Sequence, residues 1–185
     1  QQFADAGVDQ VVFIQQGGNN QHAHICESLE LFSREVMPHF KAGEAERERK
    51  KLARLAPALE RLHQAGVHTG VLSNGDSEML ETALVTSGLH RYIDIVLSAD
   101  QVQAFKTSPL IYALGPRALK RPAEEILFVS SNGWDAIGAT WFGYTTFWIN
   151  RGGQPLEELG AQPAAQGRLL TDVVAYVQNS IKEPS

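Results

Sequence analysis

Short apolar runs alternate with amphipathic segments along most of the chain. Four runs have the length of a strand and are bounded by Gly, Asp or Ser; the predicted strands are Thr69–Ser73, Ile93–Ser98, Ile126–Ser130 and Thr145–Ile149. The segments between them carry apolar residues at helical spacing; the predicted helices are Leu52–Gln64, Ser77–Ser87, Pro109–Ala118 and Thr171–Val177. This alternation predicts an α/β fold, with a Rossmann-like parallel sheet and helices on both faces.

The chain before residue 52 follows a different pattern. Asp9–Ile14 is apolar enough to predict a buried strand, and Asn20–Phe40 predicts a helix that Pro38 helps to end. Lys41–Lys51, KAGEAERERKK, is the most charged segment and predicts a solvated helical linker. The predicted organisation is therefore an amino-terminal segment, this linker, and an α/β core over residues 52–185.

Composition and charge narrow the range of partners. A chain of 185 residues with 43% hydrophobic content can bury one sizeable core. A net charge of -5 argues against nucleic acid or an anionic membrane as partner, and no apolar run approaches the roughly 18 residues of a membrane span. The single cysteine, Cys26, rules out an internal disulfide and fits a reducing, cytoplasmic setting. We therefore expect a small-molecule ligand; the start at Gln-Gln-Phe also fits a trimmed or truncated product.

Polar residues follow three of the predicted strands. The groups are Ser73-Asn74-Gly75, Lys106 on the loop after the second strand, and Ser130-Ser131-Asn132 with Asp135 close behind. Taken singly, each is explained as well by turns, helix caps or surface chemistry. Because ligands bind at the carboxyl ends of parallel strands, the groups together could converge on one crevice around an anionic ligand.

Three sequence blocks resemble the haloacid dehalogenase superfamily, and most closely its type II 2-haloacid dehalogenases. They are VLSNGDSEMLETAL, AFKTSPLIYALGPRAL and ILFVSSNGWDAIGATWFGYTTFWINRGG, in the family's order. The resemblance implies hydrolytic removal of halide from short 2-haloalkanoic acids. In that chemistry an aspartate on the first core strand displaces the halide from C2, and the resulting ester is hydrolysed.

The same resemblance implies roles for individual residues. Those that would bind the substrate or line its site are Ser73, Asn74, Tyr112 and Trp134. Those that would carry or position the chemistry are Lys106, Ser130, Asn132 and Asp135. Phosphatases of the superfamily usually have a magnesium-binding acidic residue where this chain has Ser131, so the implied site needs neither metal nor cofactor.

The nucleophile is the main departure from the family. Its motif, an apolar strand followed by D-x-x-G-T, does not occur in the sequence, and the helical cap is mostly missing because only 72 residues precede Ser73. In the family the nucleophile's strand lies between those that here end at Ser73 and Ser130. We predict that Asp9–Ile14 inserts there and puts Gln15 at the nucleophile's place. A neutral amide is a very poor nucleophile, so we expect an inert site.

Residues 1–40 carry a second resemblance. The string QQFADAGVDQVVFIQQGGNNQHAHICESLELFSREVMP is similar to the carboxyl-terminal end of luciferase-like, flavin- or deazaflavin-dependent monooxygenases. Such a barrel needs about 250 residues, so the chain resembles a fusion of two fragments. Within this segment His22 and His24 would face apart on a helix, so we predict no metal site, and Cys26 is expected in the core.

Three functions therefore stay open from the sequence. The first is a 2-haloacid dehalogenase that is inactive as this chain stands. The second is a non-catalytic remnant that binds small carboxylates or a partner chain, with a homodimer as a further possibility. The third is a flavin-binding fragment.

Overall fold

The computed structural model describes residues 19–182, and these form parts of two compact units, Gln1–Arg47 and Glu48–Ser185. The predicted strand Asp9–Ile14 and the predicted nucleophile position Gln15 lie outside the described residues. Their placement therefore stays a prediction.

The first unit contains the predicted helix in three successive pieces. They are α1 (His22–Leu31), a π-helical segment (Phe32–Val36) and α2 (Met37–Lys41). The expectation that Pro38 helps to end the helix is wrong. Pro38 lies in the first turn of α2, directly after the π-helical segment, and the helix continues past it. The helix ends at Lys41 instead.

The charged segment after α2 joins a long helix. A turn at residues 42–43 separates α2 from α3 (Glu44–Gln64), and the boundary between the two units falls inside the charged segment. In the second unit, Ala58 and Leu62 of α3 are buried and pack on Val174. The apolar residues at helical spacing therefore form core, as the pattern predicts.

Five strands in the described part of the second unit form two parallel sheets. The first pairs β1 (Gly70–Ser73) with β2 (Ile95–Ser98), in a register that aligns Ser73 with Ser98. The second has the order β3 (Leu127–Ser130), β4 (Thr145–Ile149) and β5 (Ala165–Gly167). All four predicted strands are present, and β5 is an additional strand.

Helices connect the strands of this unit. Their bounds are α4 (Ser77–Thr86), α5 (Pro109–Tyr112), α6 (Leu114–Leu119), α7 (Gly133–Phe142) and α8 (Leu170–Lys182). Three short 3₁₀ segments span His90–Tyr92, Ala99–Gln101 and Ala123–Glu125.

Helices lie on both faces of the second sheet, and the side chains of β4 contact one helix and the other in alternation. The Thr146 hydroxyl is 2.6 Å from that of Thr140 on α7, whereas Phe147 and Ile149 pack with Val173 of α8. The arrangement confirms the predicted α/β class. No helix in the described part of the chain is long and apolar enough to span a membrane.

Candidate active site

The loop after β1 is held in place by serine hydroxyls at two neighbouring strand ends. Ser73 Oγ accepts from the N–H of Gly75 at 3.0 Å, and Ser98 Oγ donates to the carbonyl of Gly75 at 2.7 Å. Both hydroxyls lie at the carboxyl end of the first sheet because β1 and β2 are parallel and in register. The loop therefore presents Asn74 at a fixed position.

Asn74 links this loop to the segment that carries Lys106. The backbone N–H of Lys106 donates to Asn74 Oδ1 at 2.8 Å, so the amide NH₂ of Asn74 stays available to donate to a ligand. The Lys106 ammonium lies 4.8 Å above the centre of the Phe128 ring of β3. The lysine is thus attached to the loop of one sheet by its backbone and to the other sheet by its side chain.

Asp135 is the centre of the buried polar network. Lys106 Nζ lies 3.0 Å from Asp135 Oδ2, and the two side chains are only 10% and 5% exposed. Ser130 Oγ donates to the same carboxylate oxygen at 2.9 Å, and the Tyr112 hydroxyl donates to Oδ1 at 2.8 Å. A buried carboxylate needs such partners to offset the loss of its hydration. Asp135 lies in the first turn of α7, where the helix dipole also favours a negative charge.

Two buried tyrosines support this network. Burial raises the pKa of Tyr112 far above its usual range, and the hydrogen bond to Asp135 adds to the effect. Its phenol therefore stays protonated and continues to donate to the carboxylate. Tyr144, whose pKa burial raises to about 12, donates from its hydroxyl to the carbonyl of Tyr112 at 2.6 Å. Tyr144 thereby fixes the helical turn that carries Tyr112.

The structure therefore brings together most of the predicted site residues. They are Asn74, Lys106, Tyr112, Ser130 and Asp135, with Ser73 directly before Asn74.

Two further predicted residues lie at the edge of this network. The backbone N–H of Asn132 donates to Ser130 Oγ at 3.1 Å, but the Asn132 side chain is exposed. Trp134 is 41% exposed. Both residues line a separate cavity of about 400 Å³, together with Ser131 and Trp148.

The remaining candidates from the sequence do not join the site. His22 Nε2 is 3.5 Å from the Cys26 sulfur in the first unit, and Cys26 is half-buried. Across residues 19–182, no three His, Cys, Asp or Glu side chains are grouped so that they could hold a metal ion.

The arrangement favours binding of a small anion beside a buried cation. Asn74 offers amide protons, Ser73 offers a hydroxyl proton, and Lys106 supplies a positive charge that is largely shielded from water. A charge in such a setting interacts more strongly than one in bulk solvent. The same cation can also stabilise negative charge that develops on a reacting group.

The family is decided by a match over most of the chain. The model of haloacid dehalogenase-like hydrolases matches residues 8–143. The chain belongs to this family. The match begins upstream of β1, and so includes the predicted strand Asp9–Ile14.

Individual relatives of this haloacid dehalogenase-like chain are dehalogenases. It is 38% identical over 126 residues to the (S)-2-haloacid dehalogenase of Pseudomonas fluorescens, covering 68% of this chain and 56% of that enzyme. The solved L-2-haloacid dehalogenase RSc1362 shares 53% identity, with a TM-score of 0.65 over 66% of this chain and 54% of that one. The chain thus spans about half the length of these relatives.

One solved relative reaches further along the haloacid dehalogenase-like chain. The L-2-haloacid dehalogenase of Xanthobacter autotrophicus with chloropropionic acid covalently bound is 28% identical, with a TM-score of 0.63. The likeness covers 84% of this chain and 72% of that structure. The resemblance of residues 1–40 to luciferase-like monooxygenases stays a prediction.

Sequence reasoning missed two residues that hold the site. Ser98 fixes the loop of Asn74, and Phe128 lies beneath the Lys106 ammonium. Ser98 could have been found, since it is a serine at the carboxyl end of a predicted strand, as Ser73 is. Phe128 carries no such signal, because an aromatic residue inside a strand is ordinary core.

Proposed function

We propose that this haloacid dehalogenase-like domain binds short 2-haloalkanoic acids, and related small carboxylates, at the carboxyl ends of β1 and β3. We propose further that it does not turn them over as the chain stands. The observation that carries the proposal is the buried network of Lys106, Asp135, Ser130 and Tyr112 beside the Asn74 loop.

The chemistry of the network suits a carboxylate substrate. The carboxylate would accept from the Ser73 hydroxyl and the Asn74 amide, and Lys106, whose backbone N–H donates to Asn74, would supply the positive charge that offsets it. A pocket that combines an anion-binding end with apolar walls is the usual form of a site for a small organic acid. The two relatives reported above are named as 2-haloacid dehalogenases, so their substrates are acids of this class.

Catalysis in this class needs a carboxylate nucleophile, and we propose that Gln15 occupies its place. An amide cannot form the ester intermediate, and loss of a covalent nucleophile costs on the order of 10⁶ in turnover in enzymes where it has been measured. Asp135 does not substitute for it, because its oxygens already accept from Lys106, Ser130 and Tyr112.

We also propose that the site works without a metal ion. Ser131 stands where an acidic ligand would be required, and its hydroxyl is a weak ligand for Mg²⁺ compared with a carboxylate. Addition of EDTA should therefore leave both ligand binding and any activity of variants unchanged. The cytoplasmic setting, the homodimer and the lack of a nucleic-acid partner stay predictions.

Halide release from L-2-chloropropionate tests the proposed function directly. We expect no release above the buffer rate from the native chain and measurable release from Gln15→Asp. Gln16→Asp is the matched control, because the next residue of an extended segment points to the opposite side. Release by the native chain would contradict the missing nucleophile, and equal release by both variants would contradict the position of Gln15.

Calorimetric titration of the native chain tests ligand binding separately from turnover. L-2-chloropropionate should bind, and Asn74→Ala should weaken binding about tenfold or more, because a hydrogen bond to a charged group is worth roughly 1.5–3 kcal/mol. Asn179→Ala, on the exposed surface of α8, should bind like the native chain. If Asn74→Ala binds as tightly as Asn179→Ala, the proposed carboxylate site is wrong.

A further inference from the structure

The cavity at the carboxyl ends of β3 and β4 has walls of a different kind from the buried network. Its volume is about 400 Å³. One wall is the start of α7, which includes Gly133, and another is the loop after β4, which includes Arg151 and Glu157. Lys106 does not belong to its lining. The cavity is therefore considered by its own donors and acceptors.

The lining of this cavity contains a buried hydrogen-bond donor without an acceptor. Trp148 lies two residues after Thr146 on β4, so its side chain is on the face of α7. Trp148 is 5% exposed, and its indole N–H finds no acceptor among residues 19–182. Because buried donors are nearly always paired, this N–H points to an acceptor that comes from outside the chain.

The first turn of α7 adds further donors to the cavity. The helix has 10 residues, and the Asn132 side chain at its amino end makes no capping hydrogen bond. The free N–H groups and the dipole of such a turn favour an anion. Gly133 leaves room for one, since a Cβ there would collide with the Glu157 carboxylate. One carboxylate of the chain itself thus already approaches this turn.

Arg151 supplies a cation from the loop after β4. It is exposed, and it takes part in no ion pair within the described part of the chain. The turn that carries it is ordered by two reciprocal hydrogen bonds. The Asn150 amide donates to the carbonyl of Gln154 at 2.8 Å, and the N–H of Gln154 donates to Asn150 Oδ1 at 2.9 Å. The guanidinium is therefore held beside the cavity and is available to a ligand.

These features together favour a small oxyanion over water or a neutral ligand. A water molecule could accept from the Trp148 indole, but it would gain little from the helix dipole or from Arg151. The oxygens of one carboxylate or phosphate can accept from several N–H donors, and a guanidinium matches their charge and geometry. Glu157 is the competitor, because its carboxylate lies against Gly133.

We propose that this cavity is a second ligand site, which binds a small oxyanion, either a carboxylate or inorganic phosphate. Trp148, Arg151 and the first turn of α7 donate to the ion, which displaces the Glu157 carboxylate from Gly133. The site goes beyond the proposed function and does not depend on it, because neither Asn74 nor Lys106 lines the cavity.

Nuclear magnetic resonance of the indole N–H groups tests this site on the native chain. The three tryptophans give three indole resonances, and Trp148→Phe identifies that of Trp148. Inorganic phosphate and acetate are titrated separately at constant ionic strength. We expect saturable movement of the Trp148 resonance with at least one ion, and the lower midpoint identifies the preferred oxyanion. The Trp141 resonance should stay in place, because that indole already donates to the Leu159 carbonyl. Absence of saturable movement with both ions would overturn the proposal.

Charge variants distinguish a built site from a general effect of salt. Arg151→Gln should raise the midpoint about tenfold, because a hydrogen bond from a charged group is lost. Glu157→Gln should lower the midpoint about threefold, because the competing carboxylate is removed. Arg117→Gln on α6 and Glu158→Gln are the matched controls, since neither residue lines the cavity. Equal midpoints for Arg151→Gln and Arg117→Gln would overturn the proposal.

Asn74→Ala separates this site from the proposed carboxylate site after β1. The variant should leave the Trp148 titration unchanged even where it weakens binding of L-2-chloropropionate. Loss of the Trp148 movement in Asn74→Ala would show that the ion acts from the other site, and the proposal would be wrong. A native chain that shows the Trp148 titration but binds no L-2-chloropropionate would contradict the proposed function and still support the second site.

Discussion

The ion pair between Lys106 and Asp135 should couple these residues far more strongly than a surface pair does. The two side chains are 10% and 5% exposed, and Nζ lies 3.0 Å from Oδ2. Removing one partner of a buried pair costs about 3–5 kcal/mol, because the other charge stays buried without compensation. Asp135 would keep its two hydroxyl donors, so we expect Lys106→Met to cost about 3 kcal/mol.

A double-mutant cycle isolates the coupling energy from the cost of each change. Lys106→Met, Asp135→Asn and the double variant should show a coupling energy of about 2 kcal/mol, since the second change removes the charge that the first leaves unpaired. Arg121 and Glu125 form a matched control pair, 3.2 Å apart and 68% and 51% exposed. Their cycle with Arg121→Met and Glu125→Gln should give about 0.5 kcal/mol or less.

The measurement is urea unfolding at pH 7, followed by tryptophan fluorescence. All three tryptophans, Trp134, Trp141 and Trp148, belong to the second unit, so the signal reports on the unit that contains both pairs. The slope of the free energy of unfolding against urea should be unchanged among the variants. A coupling energy for Lys106 and Asp135 equal to that of the surface pair would refute the reasoning.

Two further predictions concern the aromatic cluster under the site. Folding raises the pKa of Tyr144 from 10.0 to about 12, chiefly by burial. The stabilisation that the neutral Tyr144 phenol gives the folded state is therefore intact below pH 10. As the pH rises towards 12, the free energy of unfolding should fall by on the order of 2 kcal/mol. Tyr144→Phe should remove that part of the alkaline loss, measured as the urea midpoint against pH; Tyr92→Phe is the control, and an unchanged profile in Tyr144→Phe would contradict the assignment. A Cβ at Gly115 would collide with the Tyr144 hydroxyl, so Gly115→Ala should cost about 1–3 kcal/mol of unfolding free energy. Gly152→Ala, which meets only the flexible side chain of Gln154, should be near neutral, and equal midpoints for the two alanine variants would show that the contact relaxes freely.

The strands were predictable because their signals are local. Ser73 and Ser130 end β1 and β3 in the structure, where apolar runs give way to polar residues in the sequence. β5 has no such signal: Ala165–Gly167 is too short and too polar to predict a strand, and it forms because β4 offers a free edge. Tertiary pairing decides such a segment, and propensity does not.

The candidate site was predictable in its residue types but not in its contacts. The sequence shows a hydroxyl, an amide, a cation and a carboxylate after predicted strands. Because parallel strands end at the same edge of a sheet, it also predicts that these groups lie at one edge. The hydrogen bond from Tyr112 to Asp135 requires α5 to approach α7, and it is the position of Tyr144 that holds Tyr112 there. These contacts depend on packing between elements far apart in the chain, which spacing alone does not specify.

The polar network and the proposed loss of the nucleophile place different demands on the chain. The contacts among Asn74, Lys106 and Asp135 are made between residues of the second unit, and no further carboxylate is needed to complete them. The network can thus stabilise the fold whether or not the chain turns a substrate over. If position 15 takes the nucleophile's place, as we propose, an aspartate there would bring a second negative charge to the Lys106 ammonium. In the proposed function Gln15 leaves Asp135 as the charged partner of that lysine, and the single change Gln15→Asp would distinguish a binding site from a catalytic one.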